Sequence, residues 1–245
     1  MLFYLQKNIK HIAIGVNGIN KSHPPMYKAF GYKVDKLNHF YVTNINSELK
    51  IISSPKNYQH PIVNQNGMDW ELLTNKKIQN MDKEVLFNIK SYSSIFKTPN
   101  YLINRYLRHP FYNYYIYLIS GINRKEKALI ALRIDDYKQS KVLRIVDYLG
   151  NPEILINAGH GLQNIMTQNK IEYADFWSYG ISEETMNSLG FRIIDNNDEI
   201  IVPTYFEPFT EGNFSILFAY KNEINNMKNI MIFKGDGDQD RPNQL

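Results

Sequence analysis

Cysteine is absent from all 245 residues, so no disulfide, thiolate nucleophile or thiolate-bound metal contributes here. Long apolar runs are missing too: nothing approaches the roughly 20 residues that cross a bilayer. No basic-then-apolar leader opens the sequence, and the expectation is a cytoplasmic protein without a membrane span. Charge of one sign is scarce. A net charge of +4, spread along the chain, gives no reason to expect a nucleic-acid partner. His109 and His160 share no ligand spacing with another His or a carboxylate, so no metal site is expected. A serine nucleophile elbow and a complete glycine-rich phosphate loop are also lacking.

What remains is an ordinary apolar content of 43%, enough for one large core or two small ones. The chain is organised around residues 141–170. Val142 to Tyr148 reads as a buried strand, Leu149-Gly150-Asn151 as a tight loop, and Pro152 as the opening of a helix. Leu155, Ala158, Leu162 and Ile165 recur at three- and four-residue steps and predict one apolar stripe. Asn151 is a good cap for the free N–H groups of that helix. A helix start directly after a buried strand faces an anion with unpaired donors and a positive dipole end. Gly150 and Asn151 are therefore the candidate cofactor-binding pair. Asp147, at the carboxyl end of the strand, stands where α/β sheets present ligand-binding residues. Glu172 and Asp175 are further candidate bases or ion-pair partners on the next strand, while Arg144 reads as structural.

Elsewhere the pattern predicts a strand over 11–16 ended by Asn17-Gly18, then a helix capped by Ser22 and stopped by Gly31. Short strands follow at 32–34 and 39–43. Residues 45–82 read as a connector, and helices are expected at 83–89 and from Thr98-Pro99 to His109. A hairpin of 112–119 and 127–133 leads into the organising strand. Strands are expected again at 171–177, 191–195, 199–203, 215–220 and 230–233, with a helix from Ser182 to Leu189.

Two stretches share one grammar: 11–34 and 172–194 each run strand, polar turn, short helix, Gly-aromatic, strand. Their junctions are Phe30-Gly31-Tyr32 and Leu189-Gly190-Phe191. The first, preceded by Met26-Tyr27-Lys28-Ala29, resembles the closing helix and strand of a GNAT-type acetyltransferase. Leu143 to Asp147, the run Pro203-Thr204-Tyr205-Phe206-Glu207-Pro208-Phe209 and the run Asp238-Gln239-Asp240-Arg241-Pro242-Asn243 resemble a GNAT-like domain of bacterial surface-polysaccharide gene clusters. The resemblance implies an α/β fold with a GNAT-like mixed central sheet flanked by helices. It implies a partial GNAT-like half-domain at 1–44, a connector at 45–82 and a GNAT-like domain at 83–245. The usual pyrophosphate loop of that family is replaced by Tyr148-Leu149-Gly150-Asn151-Pro152, with one glycine, so fewer N–H groups can close on a pyrophosphate. The front copy begins after the point where its own such loop would stand, and as written it cannot hold CoA.

Acetyl-CoA or another acyl-CoA is the cofactor that the resemblance implies, with weak binding expected from that loop. Tyr205 and Glu207, two residues apart on an extended stretch, face one side and with Asp147 form the candidate catalytic set. Asp238, Asp240, Arg241 and Asn243 are the candidate substrate-binding residues; the planar fork of Arg241 suits a phosphate or carboxylate. The function implied is N-acylation of an amino sugar in capsule or lipopolysaccharide biosynthesis, with an amino sugar or sugar nucleotide as small-molecule partner. Alternatives are an inactive GNAT-like module that binds a sugar nucleotide or partner enzyme, and a Fem-type aminoacyl transferase. An open strand edge at 11–16 would favour a homo-oligomer.

Overall fold

The structure is a computed structural model, and it describes residues 13–61, 67, 70–81, 85–86, 89, 97–121, 125–137, 139–206, 209–222 and 230–237. Its elements are β1 (Ala13–Ile19), α1 (Pro24–Ala29), β2 (Lys33–Lys36), β3 (Asn38–Thr43), β4 (Glu71–Leu72), α2 (Asn75–Gln79) and α3 (Pro99–Leu102). There follow β5 (Tyr114–Ser120), β6 (Lys127–Tyr137), β7 (Ser140–Leu149), α4 (Gly159–Gln168), β8 (Ile171–Tyr179), α5 (Glu183–Ser188) and β9 (Arg192–Ile194). The chain closes with β10 (Tyr205–Phe206), β11 (Phe209–Thr210), β12 (Leu217–Asn222) and β13 (Ile232–Phe233).

The main sheet runs β4-β5-β6-β7-β8-β3-β9, with β13 added beside β8. Among the described residues of this sheet only β7 and β8 pair in parallel; the other pairs are antiparallel. A parallel neighbour needs a crossover, and α4 supplies it. Leu162, Ile165 and Met166 of α4 and Met186 of α5 pack with Ile130, Ile145, Ala174 and Phe176 on one face. Ile78, Leu102, Ile103 and Tyr106 pack with Ile116, Leu129, Ala131 and Val146 on the other. The sheet is therefore covered on both faces, which is why β7 and β8 read as near-continuous apolar runs. The mixed sheet flanked by helices is the α/β arrangement expected. Among the described residues, no helix is long and apolar enough to cross a membrane.

The two Gly-aromatic junctions have one geometry. Gly31 and Gly190 sit at φ of 77° and 90°. In each, the glycine N–H returns to Lys28 or Asn187, and the following aromatic N–H reaches back to Tyr27 or Met186 at 3.0 Å. That is the six-to-one closure that ends a helix through a left-handed residue. The strands on either side are exchanged, however. β12 inserts between β1 and β2, whereas β3, which follows β2, inserts between β8 and β9. Each strand–helix–strand unit is thus filled by a strand from the other end of the chain.

Several local expectations change. Asn17-Gly18 does not end the first strand; Gly18 at φ 73° makes a bulge, and pairing resumes at Ile19. β12 lies beside that strand, so its inner edge is paired. Ser22 is not the cap of α1: its hydroxyl meets Asn20 Oδ1, and His23 is the cap residue without a side-chain bond. The single helix expected from Pro152 is a six-residue 3-10 helix, Pro152–Asn157, followed after Ala158 by α4. Residues 199–203 form only an isolated bridge, Ser53 with Ile201. The helix expected over 83–89 lies mostly outside the described residues.

β3 sits inside the sheet with Phe40 and Val42 fully buried. Phe40→Ala should therefore cost about 3 to 5 kcal/mol, seen as a lower urea midpoint at unchanged slope. Removing residues 1–44 should abolish cooperative unfolding of the remainder by calorimetry.

Candidate functional site

β7 and β8 pair from Lys141/Ile171 to Ile145/Phe176 and then part. A register shift between Ala131 and Leu132 leaves Val146 unmatched against β6, and such a bulge bends the strand. Beyond it, Val146 to Leu149 and Trp177 to Tyr179 flank a crevice at the carboxyl ends of two parallel strands. Ligands of open α/β sheets bind at such places.

The chain's own residues 230–237 fill this crevice. Ile232 and Phe233 pair with Tyr179 and Ser178 on the side of β8 that β7 has left. The Phe233 ring stacks on Phe176 at 5.6 Å and meets Tyr148 edge-on at 6.5 Å. A 3-10 turn, Lys234–Asp236, follows against β7. Gly235 has no room for a side chain: a Cβ there would stand 2.6 Å from the Tyr106 hydroxyl and 2.8 Å from Val146 O. The Asn17 amide of β1 donates to Phe233 O at 3.1 Å, tying the strap to the exchanged unit as well.

Under the strap lies a buried charge cluster. Lys97 Nζ is 2.5 Å from Asp147 Oδ1 and 2.6 Å from Asp236 Oδ1, and the Tyr106 hydroxyl donates to Asp147 Oδ2 at 2.7 Å. Thr98 caps α3 through Tyr101 N, and the helix continues as a π-helix, Ile103–Leu107. That wider turn delivers Arg105 and Tyr106 to the crevice. Arg105 lies 3.5 Å from the carbonyls of Gly235 and Gly237. One ammonium serves two carboxylates here. Burial, and then the Asp236 charge, push Asp147 up to about 6 against the pull of Lys97. Burial opposes the Lys97 charge, but the two carboxylates outweigh it and hold Lys97 above its ordinary value.

A second polar cluster crosses the same sheet. Arg133 and Arg144 stand opposite each other and share Asp135, at 2.8 and 3.0 Å. Arg144 also donates to Thr204 O and Pro203 O and lies 3.6 Å from Asp175. It therefore holds Pro203 and Thr204, just before β10, a structural role of the kind read from its sequence. Burial would raise Asp175, but Arg144 and His39 outweigh it and hold the carboxyl below the usual range. His39 stacks on Trp177 at 4.1 Å, and burial lowers its pKa, leaving it neutral near pH 7.

The sequence-predicted residues divide between these places. Asp147 is in the first cluster. Tyr205 lies by the strap: Lys234 Nζ stands 5.8 Å from its ring centre. Tyr205 and Phe206 pair with Thr210 and Phe209 of β11. Glu207, Asp238, Asp240, Arg241 and Asn243 lie outside the described residues. Gly150, at φ 139°, presses on β6, where a Cβ would come within 2.6 Å of Ala128 Cβ. The Asn151 side chain accepts from Glu153 N, and its carbonyl accepts from Ile154 N and the Tyr148 hydroxyl. The loop thus closes on itself. Beside it a cleft of about 610 Å³ is lined by Glu126, Glu153 and Glu184 together with Ser182, Thr185 and Ser188, a lining that repels a pyrophosphate. The indole of Trp70 donates to Ala158 O and covers Gly161 at the start of α4.

Sequence reasoning missed Lys97, Tyr106 and His39 as site residues. Lys97 carries only a weak signal, its place before a Thr-Pro helix start. Among the described residues no group of three or more His, Asp or Glu could hold a metal ion.

No protein-family model matches the chain, and no curated protein matches it either. Solved structures do. A GCN5-related N-acetyltransferase from Anabaena variabilis is similar over 90% of this chain and 48% of its own, at 11% identity and a TM-score of 0.49. An N-myristoyltransferase from Saccharomyces cerevisiae, with bound myristoyl-CoA, is similar over 76% of this chain and 50% of its own, at 8% identity and a TM-score of 0.43. A conserved, functionally unknown protein from Staphylococcus epidermidis is similar over 87% and 73%, at 7% identity and a TM-score of 0.44. The chain spans about half the length of the first two.

Lys97→Met would leave two buried carboxylates facing each other, and should cost about 3 to 5 kcal/mol in denaturant titrations at pH 7. The Asp147 carboxyl, raised from 3.8 to about 6 in the folded chain, stabilises fully below about pH 4. That contribution is lost as pH rises through about 6. Asp147→Asn has no such titration, so its melting temperature relative to the unaltered chain should rise between pH 4 and 7.

Proposed function

We propose that this chain is an acyltransferase-related, GNAT-like module of surface-polysaccharide biosynthesis that binds a sugar nucleotide and does not itself load acyl-CoA. The observation that carries this reading is the strap: Phe233, Lys234, Gly235 and Asp236 stand in the crevice where a ligand of the parallel strands would lie. The self-closed turn at Gly150 and Asn151 and the acidic cleft beside it support the same reading. The GNAT-like part rests on the sheet order, the paired Gly-aromatic junctions and the resembling runs around Asp147 and Tyr205. The same runs support an amino sugar as substrate class, and the run Met26 to Tyr32 supports a partial GNAT-like unit ahead of the main one.

Active N-acylation is the second reading, favoured by one feature. Asp147, pushed up to about 6 beside the Tyr106 hydroxyl, has the strength of a proton acceptor for an attacking amine. Calorimetry of the unaltered chain with acetyl-CoA should give no measurable heat up to millimolar ligand. Micromolar binding would overturn the module reading in favour of the acyltransferase.

A further inference from the structure

The strap differs from an ordinary core strand. It pairs with β8 through only two residues, in a position that β7 vacates. Its turn is held by buried charge: Lys97 and Lys234 are 4% and 2% exposed, and Lys97 grips Asp236. Ion pairs of this kind contribute little net stability against an apolar packing of similar volume, because desolvating the charges offsets their attraction. The polar groups beside the strap are also unfinished. Ser178 Oγ, Trp177 Nε1 and His39 Nδ1 are buried without a hydrogen-bond partner among the described residues, while His39 Nε2 faces Asp175 at 3.6 Å. A closed core normally satisfies such atoms.

The seat under the turn already holds an anion. The Asp236 carboxylate lies on Lys97 Nζ, which Asp147 shares; Arg105 lies against the Gly235 and Gly237 carbonyls, and the Tyr106 hydroxyl donates to Asp147. Lys97, Arg105 and Tyr106 line this place, the last two brought in by the π-helix, and π-turns mark functional sites more often than chance. Gly235 and Gly237 let the backbone of the strap lie directly against Tyr106 and Asn17, while Met231, Ile232 and Phe233 seat it in the apolar clusters.

We propose that residues 230–237 are a displaceable occupant of the ligand crevice, and that Lys97 and Arg105 pass from the strap to the phosphate of a ligand when it leaves. The inference rests on the crevice being the ligand site of the functional reading above. The ligand class is a phosphate-bearing small molecule, since the Asp236 carboxylate holds the place of one anionic group. Two sources share that chemistry: a sugar nucleotide and CoA.

The test uses the full chain and two readouts. Hydrogen exchange at Ser178, Tyr179, Ile232 and Phe233 should speed up at least tenfold in Asp236→Ala, with the rest of the sheet unchanged. Calorimetry with UDP-N-acetylglucosamine and, separately, with acetyl-CoA should then show at least tenfold tighter binding of one of them than in the unaltered chain. Adding Lys97→Met should remove that gain. Phe233→Ala, which leaves the ion pairs in place, is the second variant should Asp236→Ala lose its cooperative transition. Unchanged exchange in the variants would overturn the displaceable strap alone. Faster exchange with no gain for either ligand would overturn the crevice as a phosphate site. Micromolar acetyl-CoA binding by the unaltered chain would instead overturn the functional reading.

Discussion

One constraint shapes this molecule: two parallel strands that stop pairing after Ile145 and Phe176. An open seam in a buried sheet exposes backbone donors and acceptors that cost free energy unless something pairs with them. Here β13 pairs with the freed edge of β8, and the turn after it rests on β7. Placing a polar turn in that seam brings the Asp236 carboxylate beside Asp147. Two buried carboxylates at close range require a cation, and Lys97 supplies it. Much of the geometry around the crevice follows from that requirement, including the helix start at Thr98 and the π-turn that brings Arg105 and Tyr106 inward.

The second constraint is the exchange of strands. β12 completes the sheet of the front unit, and β3 completes that of the rear. Neither unit closes its sheet from its own consecutive residues. Asn17, in the bulge of β1, bonds to the strap, so the front unit also contributes to the crevice. The polar row of Arg133, Arg144 and Asp175 runs across the main sheet toward His39 of β3, carrying the same dependence into the second charge cluster.

Much of the local grammar was legible in the residues. The hairpin β5–β6, the strand β7, the caps at Thr98, Asn151 and Ser182, and the two glycine stops follow from short-range chemistry that a sequence displays directly. Where short-range reading failed, a competing local option had won. Gly18 made a bulge instead of a turn, and Pro152 opened a tight 3-10 segment that broke the expected helix at Ala158. The site was less legible. Asp147 could be placed at a strand end from its sequence, but its partners Lys97 and Asp236 are 50 and 89 residues away along the chain.

By itself, then, the sequence determined many of the elements, the α/β class, the paired Gly-aromatic junctions and the absence of cysteine chemistry, because these depend on neighbours within a few residues, though β4 and α2 arose inside the expected connector. Only the tertiary structure decided which strand entered which sheet, that residues 230–237 occupy the crevice, and that Asp147 shares Lys97 with Asp236. Strand exchange and buried charge pairing join residues that no spacing rule connects. Their energies arise from the desolvated environment that the assembled fold creates.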